Sequence, residues 1–547
     1  MGYAHEYADA IMHRGRVPME PADFVPDWAD RPRKSKFYPG AETFPLPDDG
    51  YPADATVDRG VFRHPGPLSV SRPQPADVPG AFTLPLLGGM LLDSYGLVGR
   101  RLGVQANTDL AALPFYPQAN WSRGTASGGG LYPVSVYWVS GPSSPLTPGI
   151  YHYATRHHGM QRLLAGDVSG EVRAALGEEA AGGAYTDQYL VLGIKFWQNS
   201  FKYNNFSFHA VSMDIGTILQ TWRMWAGARG LRIAPNLWFD EPRLTKLLGI
   251  RGAEEGIFAV VPLHWAGAAP PATTAPPATG VPSPDLVGVR HQDSESSRRV
   301  LTFDALRRMH TATTEHAAER PAPGALAPAA APPPRAGVAP HPLPAPTPLD
   351  MSVRTALRER RSSFGRFDAS RPISREQLAA TLAASYAGTH LDTDVTRAGT
   401  ELATLYVFVN HVAGLAPGGY AYDPAAHALH PITAGPPGPF LQRNYFLANY
   451  NLEQAAAVMV PTVRTTAILD AIGDRGYRLV GATIGALSQT FYTSAAALGL
   501  GAGVALGFDN ISFIEELGLE ATGEAPLLIM LVGNERPRPA DFRHEIA

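Results

Sequence analysis

The heptapeptide IGTILQT at residues 215–221 returns as IGALSQT at residues 484–490, and the 269 positions that separate them also relate most of the remaining chain. At that offset PVSVYWVS (133–140) meets LATLYVFV (402–409), with Tyr137 over Tyr406. PGIYHY (148–153) meets PGGYAY (417–422), with Tyr151 and Tyr153 over Tyr420 and Tyr422. Downstream, Gly230 and Leu231 fall on Gly499 and Leu500, Phe239 and Asp240 on Phe508 and Asp509, and Leu248 and Gly249 on Leu517 and Gly518. A constant offset without net insertion across so many matches marks an internal repeat, here two copies of one domain.

Each copy has the same coarse order. A strand rich in β-branched and aromatic residues leads into a short hairpin, then a long helix through the IGxxxQT stretch, and an apolar strand closes the copy (IFAVVPLHW; LLIMLVGNE). This is an α+β pattern, and a duplicated α+β domain predicts a pseudo-dimer within one chain, with its ligand at the seam. The proline- and alanine-rich stretches 266–285 and 321–348 cannot bury a core and favour extended conformations. Between them SSRRVLTFDALRRMHTATTEHAAE (296–319) has apolar residues at helical spacing and predicts one amphipathic helix. The expected organisation is an N-terminal arm (1–50), a first domain (51–267), a linker with one helix (268–349) and a second domain (350–547). At ~3.1 Å per residue the second proline-rich stretch spans up to roughly 87 Å, which leaves the halves free to pair in any orientation.

The bulk composition excludes several classes of function. The 547 residues exceed what one core supports. A net charge of −4 gives no basic field for nucleic acid. The absence of cysteine removes disulfides, thiolate metal sites and thiol nucleophiles. The N-terminus lacks the apolar stretch of a signal peptide and no run of about 18 apolar residues occurs, so a soluble, cytoplasmic protein without a membrane role is expected. The histidines have no metal-ligand spacing, and the carboxylates of EPRL (241–244) and EELG (515–518) read as solvated helix faces.

Three stretches carry chemistry. RERRSSFGRF (358–367) reads as the first turns of a helix, where guanidinium forks and hydroxyls suit a phosphate monoester; the alternative is a solvated face with ion pairs to Glu359. SRGTASGGGLYP (122–133) has consecutive glycines that let backbone approach a ligand, or else form a flexible turn. QNSFKYNNFSFH (198–209) sets Lys202 beside Tyr203 among aromatics, which is either an ordinary amphipathic pair or a base tuned by burial near Phe201, Phe206 and Phe208. Each copy lacks what the other keeps. Copy two reads TRAGTELA in place of the glycines and has Ala471 and Ile472 under Lys202 and Tyr203, yet it carries the arginines and Tyr477–Arg478.

Taken together, RRSSFGRF, SGGGLYP before a strand, the long YRLVGATIGALSQTFYTSAAALGLGAG helix and VGNERP resemble the FMN-dependent nitroreductase fold. The resemblance implies one FMN per chain. It would be gripped by Arg360, Arg361, Ser362 and Arg536 of copy two, with Arg538 nearby, by Arg123, Ser127, Gly128, Gly129 and Gly130 of copy one, and by Leu506 and Gly507 in GVALG. Within that fold the Lys-Tyr pair and the N-terminal PDWADRPRKSKFYPG are similar to the azoline dehydrogenases of ribosomal peptide pathways, of the SagB and cyanobactin-oxidase type. That resemblance implies oxidation of thiazoline or oxazoline rings in a precursor peptide, Lys202 and Tyr203 as the catalytic pair, a cyclodehydratase complex as partner and molecular oxygen as electron acceptor. A general nitroreductase or flavin reductase, and a flavin-free scaffold, are the rival expectations.

Overall fold

The computed structural model describes residues 2–62, 80–103, 119–177, 186–268, 287–333, 339–396, 399–536 and 541–545. Each copy forms an antiparallel sheet. The first runs in the order Thr43–Pro45, Gly159–Ala165, Gly149–Ala154, Val134–Ser140, Gln188–Lys195, Glu255–Pro262. The second runs Gly501–Ala505, Ile529–Gly533, Ala457–Val463, Ala403–Val409, Gly418–Asp423, Ala428–Ala434, His341–Pro342, with Ala525–Pro526 paired beside it.

The 269-residue offset holds at the level of register. Tyr137 lies opposite Val191 and His152, and Tyr406 opposite Val460 and Ala421. Both hairpins are bulged at the equivalent step, between Ile150 and Tyr151 and between Gly419 and Tyr420. The Tyr153 hydroxyl meets His158 Nδ1 at 3.0 Å, as Tyr422 meets His427 at 3.0 Å. Tyr137 donates to Glu255 at 3.2 Å, as Tyr406 donates to Glu524 at 3.0 Å.

Strand alternation distributes the core. Val136 and Trp138 face a large apolar core to which both halves contribute, while Tyr137 and Val139 face a separate outer one. At the centre lie the helices Ser207–Gly227 and Gly476–Ala497, one from each copy and both buried along nearly their whole length. Their approach is set by glycine. A Cβ on Gly216 would overlap the Ala482 carbonyl oxygen, and one on Gly485 would overlap that of Met213. These two contacts interchange under the same offset, so the helices cross about a local two-fold axis.

The termini are exchanged across this seam. Helix Tyr3–His13 reaches the second half through His5, whose Nε2 is 2.9 Å from Asp470. Strand Asp541–Glu545 pairs with Gly99–Gly103 of the first half.

Three expectations change. The helix read over 296–319 is confined to Asp304–Thr314, because Arg298 and Arg299 are held upstream by backbone N–H bonds to the Asp30 carboxylate at 2.7 and 2.9 Å. The described part of 268–349 is packed rather than a free spacer: Val289 N donates to Leu247 O and His341–Pro342 joins the second sheet. Glu241 is not on a solvated face. The helix it begins lies against the first sheet, and its carboxylate is buried, accepting from Ile257 N at 3.0 Å and from Arg475 and Arg478 at 2.8 Å each. Burial opposes its charge, but Arg478 and Arg475 outweigh it and hold its pKa down at about 2. Among the described residues no helix is long and apolar enough to cross a membrane, and no acidic or histidine cluster suits a metal ion.

Candidate functional site

The loop Ser122–Pro133 is clamped from both halves. Gln489 of the second long helix accepts from Ala126 N at 2.9 Å and donates to Gly124 O at 3.2 Å. Arg360 donates through Nε to Gly124 O at 2.8 Å and through Nη2 to Arg123 O at 3.1 Å. From the first half, Thr217 donates to Ala126 O at 2.9 Å, and Asp214 accepts from Gly128 N at 2.9 Å and from the Ser127 hydroxyl at 2.7 Å. Ser127 in turn accepts from Tyr132 N at 2.9 Å. So held, the loop makes a 3₁₀ turn over Gly128–Gly130, with Gly129 and Gly130 at φ of 62° and 64°. Side chains rarely adopt that region, which is why glycine stands there.

The Lys-Tyr pair closes onto this turn. Helix Trp197–Tyr203 presents both side chains to Gly129, where a Cβ would overlap the Tyr203 hydroxyl and lie 2.9 Å from Lys202 Nζ. Lys202 Nζ is 4.8 Å from the Tyr203 ring centre. Phe201 and Phe208 are buried as expected, but Lys202 and Tyr203 themselves stay partly exposed. A cavity of about 370 Å³ touches Trp197 and Ser200 of the same helix, together with Lys36, Tyr38 and His291, and no residue of the glycine loop lines it.

The second-half residues fall differently from expectation. RERRSS lies at the end of helix Val353–Glu359, not at its start: Ser352 caps the N-terminus, accepting from Thr355 N, and Arg360 is already past the last turn. There the arginines complement the negative helix end, so the helix-start argument for a phosphate does not apply. Arg361 is ion-paired with Glu535. Ser362 and the Tyr492 hydroxyl are 2.8 Å apart, and Arg536 Nε donates to Phe367 O at 3.1 Å. Leu506 O accepts from Arg14, and Gly507 O accepts from Phe446 N at 2.8 Å. Arg538 lies outside the described residues.

The equivalent seam, on the other side of the two-fold, is bridged by a carboxylate. Asp394 accepts from Leu237 N at 2.9 Å and Trp238 N at 3.1 Å, the residues 269 before Leu506 and Gly507, and Arg320 pairs with it at 2.9 Å. At the glycine-loop seam the position of Asp394 belongs to Thr125, whose hydroxyl turns to Thr221 at 3.1 Å. Asp394 thus joins the two halves at one seam, while Thr125 at the other turns back into its own half.

Asp214 and Gln489 were not singled out from sequence. The glutamine recurs as Gln220 and Gln489, and Asp214 is the single acidic residue of its buried helix; each was a usable signal. Burial pushes the Asp214 carboxyl up to about 7, against the bonds from Gly128 and Ser127 that favour its ionised form. The folded state thus binds a proton that the unfolded chain releases, and stability from this group is lost as pH rises from about 4 through 7. Asp214→Asn keeps the shape and removes the charge. It should match the wild type at about pH 3, below the unfolded carboxyl's pKa, and exceed it at pH 8 by up to roughly 4 kcal/mol, read from denaturation midpoints at the two values. An equal difference at both would refute a titrating Asp214.

The sequence pattern of the Nitroreductase family matches residues 357–534. A protein of Methanocaldococcus jannaschii described as a nitroreductase is 30% identical over 177 residues, covering 30% of this chain and 83% of that protein. A crystal structure of a protein from Anabaena variabilis, also described as a nitroreductase, superposes with a TM-score of 0.68 at 22% identity. That superposition covers 98% of this chain and 100% of the other, so the fold extends over both halves. By its sequence match in the second half, the chain belongs to the nitroreductase family, whose members are flavin-dependent oxidoreductases.

Proposed function

We propose that this chain is a fused duplicate of one nitroreductase-fold subunit, that it holds one FMN at the glycine-loop seam, and that it oxidises thiazoline or oxazoline rings of a ribosomally made peptide to the azoles. The observation that carries the reading is the contact of Gly129 with both Tyr203 and Lys202, since it joins the loop expected against a flavin to the pair expected to move a proton. The repeated registers support the duplication.

The residues fit FMN. Arg123 is buried between the rings of Tyr95 and Tyr132 with Nε and Nη1 unpartnered among the described residues, and Ser363 Oγ is likewise buried without a partner. A Cβ on Gly130 would meet nothing within 4 Å, so the turn has room beside it. Arg360, Ser362, Arg536 and Arg123 would hold the phosphate end, and Ser127–Gly130 with Leu506 and Gly507 the ring. Arg361, committed to Glu535, would act only by fixing that strand. When bound, FMN supplies a two-electron acceptor for hydride.

The chain's own contribution is the proton. Aromatisation removes a proton from the ring carbon bearing the peptide carbonyl, and Lys202 or Tyr203 takes it while the other orients it. The departing hydride leaves from the neighbouring ring carbon, and molecular oxygen accepts the electrons in the end. A cyclodehydratase would supply the substrate, and the cytoplasm is the expected compartment.

The test is FMN released by heat and counted per chain, followed by an assay for loss of two hydrogens from a thiazoline peptide. About one FMN is expected, because Asp394 bridges the second seam. Arg360→Ala, which unclamps the loop and removes a phosphate donor, should lower FMN occupancy at least tenfold, whereas Glu401→Ala should leave it unchanged. Two FMN per chain, or full occupancy in Arg360→Ala, would overturn the seam site. Nicotinamide-driven reduction of nitroaromatics without azole formation would instead mark a general nitroreductase, and a chain that takes no FMN a scaffold.

A further inference from the structure

An arm segment outside both repeated domains lies over the Lys-Tyr helix. Arg33 O accepts from Gln198 Nε2 at 2.8 Å, and Lys34 O accepts from Arg123 Nη2 at 3.1 Å. The segment is anchored at both ends: Asp30 takes the amides of Arg298 and Arg299, and Lys36 is buried in an ion pair with Glu255, with Tyr137 Oη 2.7 Å away. Phe37 adds backbone bonds to Asp293 and Ser294. A stretch tied down this thoroughly is a fixed wall rather than a loose tail.

That wall presents a particular chemistry. Trp28 packs its edge against Phe201 at 5.0 Å between ring centres, lies 6.0 Å from Lys202 Nζ, and is still 47% exposed. An indole held on one side and open on the other can stack a planar ring. In the same arm segment Arg31 and Lys34 both reach solvent. Partial burial, and then the like charges of Arg123, Arg31 and Lys202, push the Lys34 ammonium pKa down. The acid next to the indole, Asp27, has turned one carboxylate oxygen onto the amides of Ala29 and Asp30. A run of cations beside an open aromatic face is complementary to an anion carried on a planar or peptidic ligand.

We propose that Trp28, Arg31 and Lys34 form a substrate subsite in which Trp28 stacks on the heterocycle and the two cations take a carboxylate of the same peptide. The subsite rests on the reading of Lys202 and Tyr203 as the reacting pair, since it adjoins them. The carboxylate comes from an acidic side chain beside the ring or from the peptide's own C-terminus.

Binding of short thiazole peptides to the full-length, FMN-loaded protein tests it without turnover. The four probes carry Glu or Gln beside the ring, each with a free or amidated C-terminus. Glu should bind about tenfold tighter than Gln if the side chain is the source, and the free C-terminus about tenfold tighter than its amide if the terminus is. Lys34→Gln should abolish whichever preference appears, 0.5 M salt should weaken it, and Trp28→Ala should weaken all probes alike. Equal binding of all four, or a preference that survives Lys34→Gln, would overturn the subsite. Should carboxylate-dependent binding persist while the wild type converts no azoline peptide, the proposed reaction fails and the subsite stands; conversion without any charge preference means the reverse.

Discussion

Gly485→Ala should destabilise the protein by roughly 3 kcal/mol, with the opposite sign to the same change on an exposed helix, where alanine gains up to about 1 kcal/mol. The reason is the crossing of the two long helices, where the added methyl would overlap the Met213 carbonyl oxygen. Backbone cannot rotate aside as a side chain can, so the helices must separate and loosen the core between them. Gly216→Ala meets Ala482 in the same way and should lose a similar amount. The double variant should lose less than the sum, because one separation relieves both overlaps. Gly170→Ala, at an exposed helical position where a Cβ meets nothing within 4 Å, is the control and should gain up to about 1 kcal/mol. Urea midpoints decide the matter, and a stabilised Gly485→Ala would remove the close crossing from the description of the fold.

The fold was legible to the extent that it is periodic. Tyr137 over Tyr406 aligned two strands in sequence, and the same pair shares its register partners in the sheets. The long helices were marked by IGxxxQT, in which the glycine makes the crossing and the glutamine of the second copy holds the loop of the first. Less legible was whatever depends on partners distant in sequence. Glu241 looks like any first-turn acid until Arg475 and Arg478 arrive from the other half. The arginine cluster was put on the wrong end of its helix because Ser352, six residues before Arg358, is an unremarkable cap in sequence. The arm offered only a short resemblance, although it packs Trp28 against the Lys-Tyr helix and supplies Lys36 to a buried pair.

The site divides in the same way. Residues chosen by contrast between the copies, the glycine loop and the Lys-Tyr pair, meet in space, because whatever one copy keeps and the other loses is free of the demands of the shared fold. Residues that serve the loop through hydrogen bonds, Asp214 and Thr217, sit inside a buried core helix, and their purpose shows only once the loop is placed against it. The bridged seam illustrates the same asymmetry. Asp394 and Thr125 are equivalent positions of one loop, and only their partners show that one bonds across the halves and the other within its own.

Lys202→Ala and Tyr203→Phe should each lower azoline turnover by about 10²- to 10⁴-fold, the usual contribution of a positioned acid or base, with FMN content and denaturation midpoint unchanged. Lys202 is only part-buried, and Tyr203→Phe keeps the ring that packs against the core, so a purely structural role predicts almost no loss. The glycine turn sharpens the test. Gly129→Ala and Gly130→Ala carry the same backbone strain, at φ of 62° and 64°, but only at Gly129 does the new methyl strike the Tyr203 hydroxyl and Lys202 Nζ; at Gly130 it meets nothing. If the pair reacts with substrate, Gly129→Ala should approach the Tyr203→Phe rate, and Gly130→Ala should lose only what a strained loop explains. Equal rates for the two alanine variants would mean that the loop acts through its backbone alone. Full activity in either Lys202→Ala or Tyr203→Phe would remove that residue from the chemistry and leave its partner as the base.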